Sequence, residues 1–585
     1  MGSQAKSSIP LAQPGREDQS ENNSKDAAGS GGKKSSPVNG GTGFISLKGY
    51  DMPSTLEELL EKKEIRVSSE QNTPFNINRN IILFVYFVLI VLTNRLFFGW
   101  PNLSNLLFRD EAYIWKCTKN SQGSYDKIDD KRYVCEDQDK AVQTIFVFGS
   151  SAYFAFSFFN GIIVDYLGSR FSMLLGHILN LVGWILLLMS NEHFDAYVIS
   201  GVFIAASIDL ASFSTLNASG LYPGNENLIV NIISGAGSLS AGTMTILDLI
   251  ITGLDLSFKT FMLWYMCISV LFFFILSIFM FPKSRYYRQY EFDNYYSSRD
   301  ISMKGAGDMS KRVKEGSTTN RSGSAVMELT NGSGKGTTNG IGNHVTEKDV
   351  EMNAQKKDIV TNTTNNKSTV SNENVNKSMF NMASIKDLIK ICTCAHFLCL
   401  WIYGPLNAIY NTFYFSVVEN ILSKDKNDIL GYILPFSFIP CIIMGNLSDK
   451  YGVMVMFSYE LFFALCMYLF SYIKSNFAQW ISVISNTMYS ACANGQLWTF
   501  ISFTFSSKYH STLIGLLNFV CGIVSFVRLL LFEWAKYTKY DFTYINLLII
   551  GFIVINMGIT VAIVFIRRIK GEKVHYGDED TEVAQ

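Results

Sequence analysis

The sequence predicts an all-α membrane protein of twelve transmembrane helices in two six-helix halves, and three observations carry that prediction. Charge is segregated: 17% of the 585 residues are charged and 48% are hydrophobic, yet the charges crowd into two polar segments and one loop. The apolar runs left between them are long enough to cross a bilayer, which takes roughly 20 residues. These runs fall as six, a hydrophilic stretch, and six more, and one short motif occurs at the same place in each set.

Residues 1–79 are dominated by Ser, Gly, Asn and Lys. They hold too few apolar side chains to offset the entropy of ordering, which predicts a disordered cytoplasmic tail. A first bundle over 80–282 follows, with spans at 80–100, 141–162, 171–190, 196–218, 228–250 and 260–281, and an outward loop at 101–140. Residues 283–383 repeat the tail's composition and are expected to be a disordered cytoplasmic linker. The second bundle, 384–566, carries spans at 388–418, 427–446, 452–473, 478–501, 511–532 and 543–566, and 567–585 form a cytoplasmic tail. Arg79, Arg170, Lys283, Arg285, Arg288, Arg567, Arg568 and Lys570 all fall on one side if the spans alternate. Positive charge marks the cytoplasmic side, so both termini and the linker are placed there. With 49 basic and 49 acidic residues, nucleic acid is not an expected partner; the lipid bilayer is. A monomer is expected. Cys117 and Cys135 lie in the outward loop, where an oxidising exterior lets them pair, two free thiols being the alternative.

The repeated motif is GIIVDYLGSRFS at 161–172 and GNLSDKYGVMVM at 445–456. Gly161, Asp165 and Gly168 match Gly445, Asp449 and Gly452 at a constant offset of 284. Each copy follows the second span of its half, the signature of a transporter built from two related halves. The glycines permit a tight reversal between helices. The aspartates can accept from backbone donors at a helix start, where the dipole favours negative charge, and Arg170 can meet helix-end carbonyls on the same face. Such contacts form a latch that breaks as the halves rock.

This Gly-x3-Asp-x2-Gly pattern, present twice, resembles the cytoplasmic motif of the major facilitator superfamily. The stretches GWPNLSNLLFRDEAYIWKC (99–117), TIFVFGS (144–150) and LYPGNENLIVNIISGAGSLSAG (221–242), with Cys135, look like the sodium-independent large-neutral-amino-acid facilitators. The Asn-rich insert makes the apicomplexan amino-acid transporter family similar as well. The resemblance implies a multi-pass carrier of neutral or cationic amino acids that works by alternating access, as uniport or exchange, at the plasma membrane or an organelle membrane. Another small polar cargo and a non-transporting nutrient sensor are the rival readings. Neither cofactor, metal nor enzymatic chemistry is expected.

Several residues are candidates for the substrate. The fifth span carries Ser234, Gly235, Ser238 and Ser240, which suit either close helix packing or binding of an α-carboxylate and α-amine. On the seventh, Tyr403, Asn407, Tyr410, Asn411 and Tyr414 make one polar-aromatic stripe at helical spacing. The tenth repeats the idea with Asn486, Ser490 and Asn494. Either stripe lines a cavity or bonds neighbouring helices. Charges within the membrane need a reason, since each costs on the order of 2.5–3.5 kcal/mol to insert. Asp209 is placed to meet a cationic group of the substrate, the alternatives being a buried partner for an arginine or a protonated carboxyl bonded to a neighbouring serine. Arg95 and Asp248 share a depth and are expected to pair, as a structural bridge or an outer gate, with Arg528 near that level. Glu460 reads as structural, and His396 as a satisfied interfacial histidine.

Overall fold

The computed structural model describes residues 65–119, 125, 133–297, 382–473, 475–493, 495–538 and 541–573. The expected disorder of 1–64, 298–381 and 574–585, and the role of Asn494, fall outside the described residues. Among the described residues, nine helices are long and apolar enough to cross a membrane.

The first half contains α1 (Arg79–Leu89), α2 (Trp100–Arg109), α3 (Glu136–Leu167), α4 (Ser169–Met189), α5 (Tyr197–Leu216), α6 (Glu226–Gly253) and α7 (Phe258–Met280). The second holds α8 (Met382–Cys392), α9 (Ala395–Ile421), α10 (Lys424–Ile433), α11 (Phe438–Tyr451), α12 (Met454–Tyr472), α13 (Asn476–Cys492), α14 (Gly495–Thr504), α15 (His510–Ser525), α16 (Val527–Tyr537) and α17 (Thr543–Lys570). Position in the bundle follows from exposure. α5 is buried nearly throughout, whereas Trp264, Ile268 and Ile275 of α7 and Leu547, Val561 and Phe565 of α17 stand exposed, as on helices bordered by lipid.

Five expected spans are broken, among them the eighth, by a 3-10 turn at Leu434–Ser437, and the eleventh, at Phe526 between α15 and α16. The seventh divides at Thr393–Cys394, into α8 and α9, and the tenth between α13 and α14. The first, expected to be continuous over 80–100, is helical only to Leu89; a π-turn covers Ile90–Asn94 and a 3-10 turn Leu96–Phe98. In a membrane, irregular backbone is tolerated only where protein satisfies it, and here three helices do so. Thr243 of α6 donates to the Val91 carbonyl at 3.1 Å, Tyr265 of α7 to Leu92 at 2.8 Å and Asn180 of α4 to Thr93 at 2.8 Å. Asn94 donates to Ser212 of α5 at 2.8 Å.

Each copy of the repeated motif caps a helix of the opposite half. Gly161 and Asp165 lie one turn apart on one face of α3. A side chain at Gly161 would strike the Ser511 backbone, so the glycine admits the start of α15. Asp165 then accepts from Ser511 N at 3.2 Å, Thr512 N at 2.7 Å and Thr512 Oγ1 at 2.8 Å. In the second copy Gly445 admits the backbone of Leu228, and Asp449 accepts from Asn227 N at 3.0 Å and Leu228 N at 2.8 Å, at the start of α6. Neither α6 nor α15 has a side-chain cap of its own, so the dipole and free N–H groups of each are met in trans. Gly168 and Gly452 sit at φ +83° and +89°, left-handed values that only glycine adopts without strain. Arg170 donates to the Phe281 carbonyl at 2.9 Å.

The same face carries a clasp where disorder was expected. Parts of the tail and linker, residues 65–78 and 283–297, are ordered and hold each other. Gln71 exchanges hydrogen bonds with the Tyr287 backbone at 2.6 and 2.8 Å, and Tyr296 donates to the Ile65 carbonyl at 2.9 Å. From this pair, Arg288 reaches the Ser502 carbonyl and hydroxyl, Ser219 and Glu226, while Tyr290 accepts from Ser507 N at 3.0 Å. The composition of the flanking segments concealed this, because the few apolar residues that order them, Ile65 and Phe292 with Tyr287, Tyr295 and Tyr296, come together from segments more than 200 positions apart. On the opposite face Cys117 and Cys135 form a disulfide, with Cα atoms 5.8 Å apart.

Candidate functional site

The break in the first span turns Arg95 inward. Its backbone N–H donates to Ser240 of α6 at 2.9 Å. Its side chain crosses α6 at Gly237, where an added Cβ would lie 3.0 Å from Arg95 Cδ, and its guanidinium stands over the Trp498 ring, 5.4 Å from the centroid. Arg95 is 7% exposed, yet Nε and Nη2 have no hydrogen-bond partner among the described residues. Asp209 of α5 and Tyr153 of α3 lie within its electrostatic reach. Asp209 is 0% exposed; Oδ2 accepts from Ser157 at 2.5 Å, while Oδ1 has no hydrogen bond within 3.5 Å among the described residues, and the Tyr153 hydroxyl and Asn518 amide stand close to the carboxylate. Ser157 in turn accepts from Asn518 of α15 at 3.2 Å. Arg95, Trp498, Asp209, Ser157 and Asn518 thus join both halves in one buried polar centre. Buried polar groups in folded proteins are ordinarily paired. Two opposite charges, each with orphaned hydrogen-bonding atoms, describe a place for a ligand that carries both an anionic and a cationic group.

The expected pairing of Arg95 with Asp248 is not formed, and the reason is the broken helix. Asp248 accepts from Asn105 at 3.4 Å and Thr252 at 3.2 Å, while Arg95 points to the interior. Arg528 is half-buried on α16, and no ion pair with it occurs among the described residues.

The seventh-span stripe meets a partner that its own sequence does not reveal. Glu460 of α12, 0% exposed, accepts from Tyr403 at 2.7 Å and Asn407 at 2.9 Å. Tyr489 donates to Asn407 Oδ1 at 2.5 Å, Gln496 to Tyr403 Oη at 3.1 Å, and Asn556 to Tyr410 Oη at 3.4 Å. Tyr403, Asn407 and Tyr410 therefore bond neighbouring helices instead of lining an open cavity. Asn411 is half-buried beside them. On α13, Ser490 donates to Asn486 Oδ1 at 3.4 Å, and Asn486 keeps a buried Nδ2 without a partner.

The fifth-span candidates divide in the same way. Gly235 packs on Phe438 of α11, and Ser234 lies against Gly495 of α14, so both serve contact between the halves. Ser240 holds the Arg95 backbone, and Ser238 is half-buried. His396 meets the Gly571 carbonyl at 3.2 Å, tying α9 to the end of α17. Tyr153, Ser157, Trp498 and Asn518 belong to the centre but were not expected from the sequence. Asn518 is a single polar residue on an apolar stretch, whereas Tyr153 and Ser157 belong to a polar stripe at helical spacing, with Ser150 and Asn160, that could have marked them.

Known proteins agree with this architecture. The family model described as Major Facilitator Superfamily matches residues 138–527. The chain is 25% identical to Amino acid transporter 6-1 of Toxoplasma gondii over 82% of its own length and 77% of that protein's. It is 25% identical to Arginine transporter 1 of the same organism over 80% of this chain and 84% of that one. Cationic amino acid transporter 8 of Plasmodium berghei is 23% identical, with 78% and 83% covered. A family match across two-thirds of the sequence, on a bundle whose two halves cap each other through a duplicated motif, makes this multi-pass membrane protein a member of the Major Facilitator Superfamily.

Proposed function

We propose that this protein carries amino acids across a membrane by alternating access, with Arg95 holding the α-carboxylate and Asp209 an ammonium group. The carrying observation is the buried pair of incompletely bonded charges: Arg95 Nε and Nη2, and Asp209 Oδ1. A guanidinium offers planar, paired donors that suit a carboxylate. An amino acid satisfies both ends at once, through its α-ammonium or a cationic side chain on Asp209. A sugar supplies neither charge. The printed names of the relatives support this cargo. Such a carrier needs no bond chemistry, and it is proposed to act as a monomer through facilitated uniport or exchange.

The two halves, 80–282 and 384–566, rock about this centre. The face bearing both motifs and the clasp is cytoplasmic, and the disulfide face is outside, as the Arg and Lys asymmetry supports. Asp165 and Asp449 latch the cytoplasmic ends when that face is closed.

Radiolabelled uptake in oocytes tests the proposal. Saturable uptake of arginine or leucine, competed by other unlabelled amino acids, is expected. Saturable uptake of another solute, indifferent to every amino acid, overturns the cargo assignment.

A further inference from the structure

The centre contains a connection that runs from the substrate position straight into the opposite half. Ser157 has one hydroxyl proton, and it is directed at Asp209 Oδ2. A lone pair of the same oxygen receives Asn518 Nδ2–H from α15. Asp209 and Ser157 belong to the first half, Asn518 to the second. The backbones also touch here. A side chain added at Gly515 would strike the Ser157 carbonyl, and one at Gly522 the Phe154 side chain, just as Gly161 meets Ser511. Helices α3 and α15 therefore lie in contact over several turns, and Asn518 cannot stay bonded to Ser157 when the halves separate. The Asp165 latch lies farther along the same pair of helices, eight residues beyond Ser157, or roughly 12 Å.

We propose that Asn518 is a positioning residue through which occupancy of Asp209 is sensed by the second half. This inference rests on the transport reading given above. Hydrogen bonds in series strengthen each other. An unneutralised Asp209 carboxylate polarises the Ser157 hydroxyl, which makes its oxygen a better acceptor for Asn518. An ammonium group on Oδ1 draws off that charge and weakens the bond to Asn518. The empty carrier is thus held with α3 and α15 together and the motif face closed, and the loaded carrier is released to open that face. Substrate moves the equilibrium only by the difference it makes between the two states, and this relay supplies the difference.

The consequence is a reluctance of the empty carrier to open inward. After releasing substrate outside, it returns slowly unless reloaded, so external substrate accelerates efflux. The test is efflux of radiolabelled arginine from preloaded oocytes, with and without external arginine, normalised to surface protein. Wild type is expected to show accelerated exchange over zero-trans efflux. In Asn518→Ala, zero-trans efflux should rise about fivefold, the effect of one neutral hydrogen bond, and the ratio of exchange to zero-trans efflux should fall towards unity. KM for uptake should stay within about twofold of wild type. Asn518→Ser, too short to span to Ser157, is the second variant and should behave alike. A wild-type ratio in a well-expressed variant overturns the relay, and so does a large rise in KM, which would make Asn518 a ligand. If wild type moves no amino acid at all, the transport reading itself fails, a result distinct from either.

Discussion

Each half of the molecule has, among the described residues, one acid in its polar core with no exposed surface, and the two are treated in opposite ways. Glu460, in the second half, receives hydrogen bonds on both oxygens, from Tyr403 and Asn407, and those donors are themselves held by Gln496 and Tyr489. Asp209, in the first, is bonded on one oxygen and left open on the other, beside a guanidinium that is also incompletely bonded. Both acids are wholly buried, so burial alone does not separate structure from function. On the proposed reading, the state of the remaining hydrogen-bonding atoms does. A saturated carboxylate braces the helices around it, whereas an unsaturated pair is stabilised when a ligand completes it.

The largest expected effect breaks this comparison at its open end. Arg95→Ala should reduce amino-acid uptake by about 30-fold or more, since truncating one partner of a buried charged interaction costs roughly 2–5 kcal/mol. Arg95→Lys keeps the charge but loses the paired donors, so it should act mainly by raising KM. Uptake at varied substrate concentration separates the two variants. Wild-type kinetics in Arg95→Ala would remove Arg95 from the site.

Next come the two latch aspartates, which sharpen the comparison of halves. Asp165 accepts three hydrogen bonds and Asp449 two. Replacing either by Asn retains the shape but removes a charge at a helix start, typically worth 0.3–1 kcal/mol when exposed and about 2 kcal/mol when partly buried. Each substitution should change the maximal rate several-fold while leaving KM in place, and Asp165→Asn should be the more damaging. A KM effect as large as that of Arg95→Ala would contradict the latch role.

Glu460→Gln probes the closed end and should affect transport less. It keeps hydrogen-bonding capacity but replaces an acceptor-only group with one that also donates, against tyrosine and asparagine donors already aimed at it. A mismatched buried group costs about 1–3 kcal/mol. The expected result is lower surface abundance and a lower unfolding temperature in detergent, with KM unchanged. A specific rise in KM at normal abundance would place Glu460 in the binding site and dissolve the distinction between the halves.

What the sequence disclosed about these two centres was uneven, and the reason is physical. Hydropathy located the spans because a bilayer imposes one length on all of them, and the duplicated motif stood out because it recurs. The break at Ile90–Asn94 left no trace: the stretch IVLTNRLFF contains neither proline nor glycine. It is maintained by Asn180, Tyr265 and Thr243, residues up to 173 positions away in the chain. With that break hidden, Arg95 was assigned to the depth of Asp248 instead of the interior. The stripe of Tyr403, Asn407 and Tyr410 was visible as a polar face, but its partner Glu460 lies on another helix. Periodicity reports that a face is sheltered from lipid and does not report what it meets.

The smallest expected effect on transport comes from the disulfide, and it follows from comparing the two ends of the molecule. On the motif face the hydrogen bonds cross between halves, Asp165 to Thr512 and Asp449 to Leu228, and Arg288 of the linker adds a tie to Ser502 of the second half. On the disulfide face, the loop that Cys117 and Cys135 close is tied within its own half. Arg109 bonds Asp255, Lys259 pairs with Asp110 at 3.1 Å, Tyr113 donates to Asp195 at 2.9 Å, and Gln138 to the Ala112 carbonyl at 2.9 Å. Burial pushes the Asp110 carboxyl above its ordinary pKa, with Lys259 pulling the other way, so this pair braces the loop only weakly. A cap fastened to one half travels with that half and does not resist rocking. Cys117→Ser with Cys135→Ser should therefore leave both KM and maximal rate within about twofold of wild type, while hastening thermal inactivation, since removing a disulfide commonly costs about 2–4 kcal/mol. Loss of transport in a double variant that reaches the surface would show that the cap also touches the second half during the cycle, and the outer face would then gate as the motif face does.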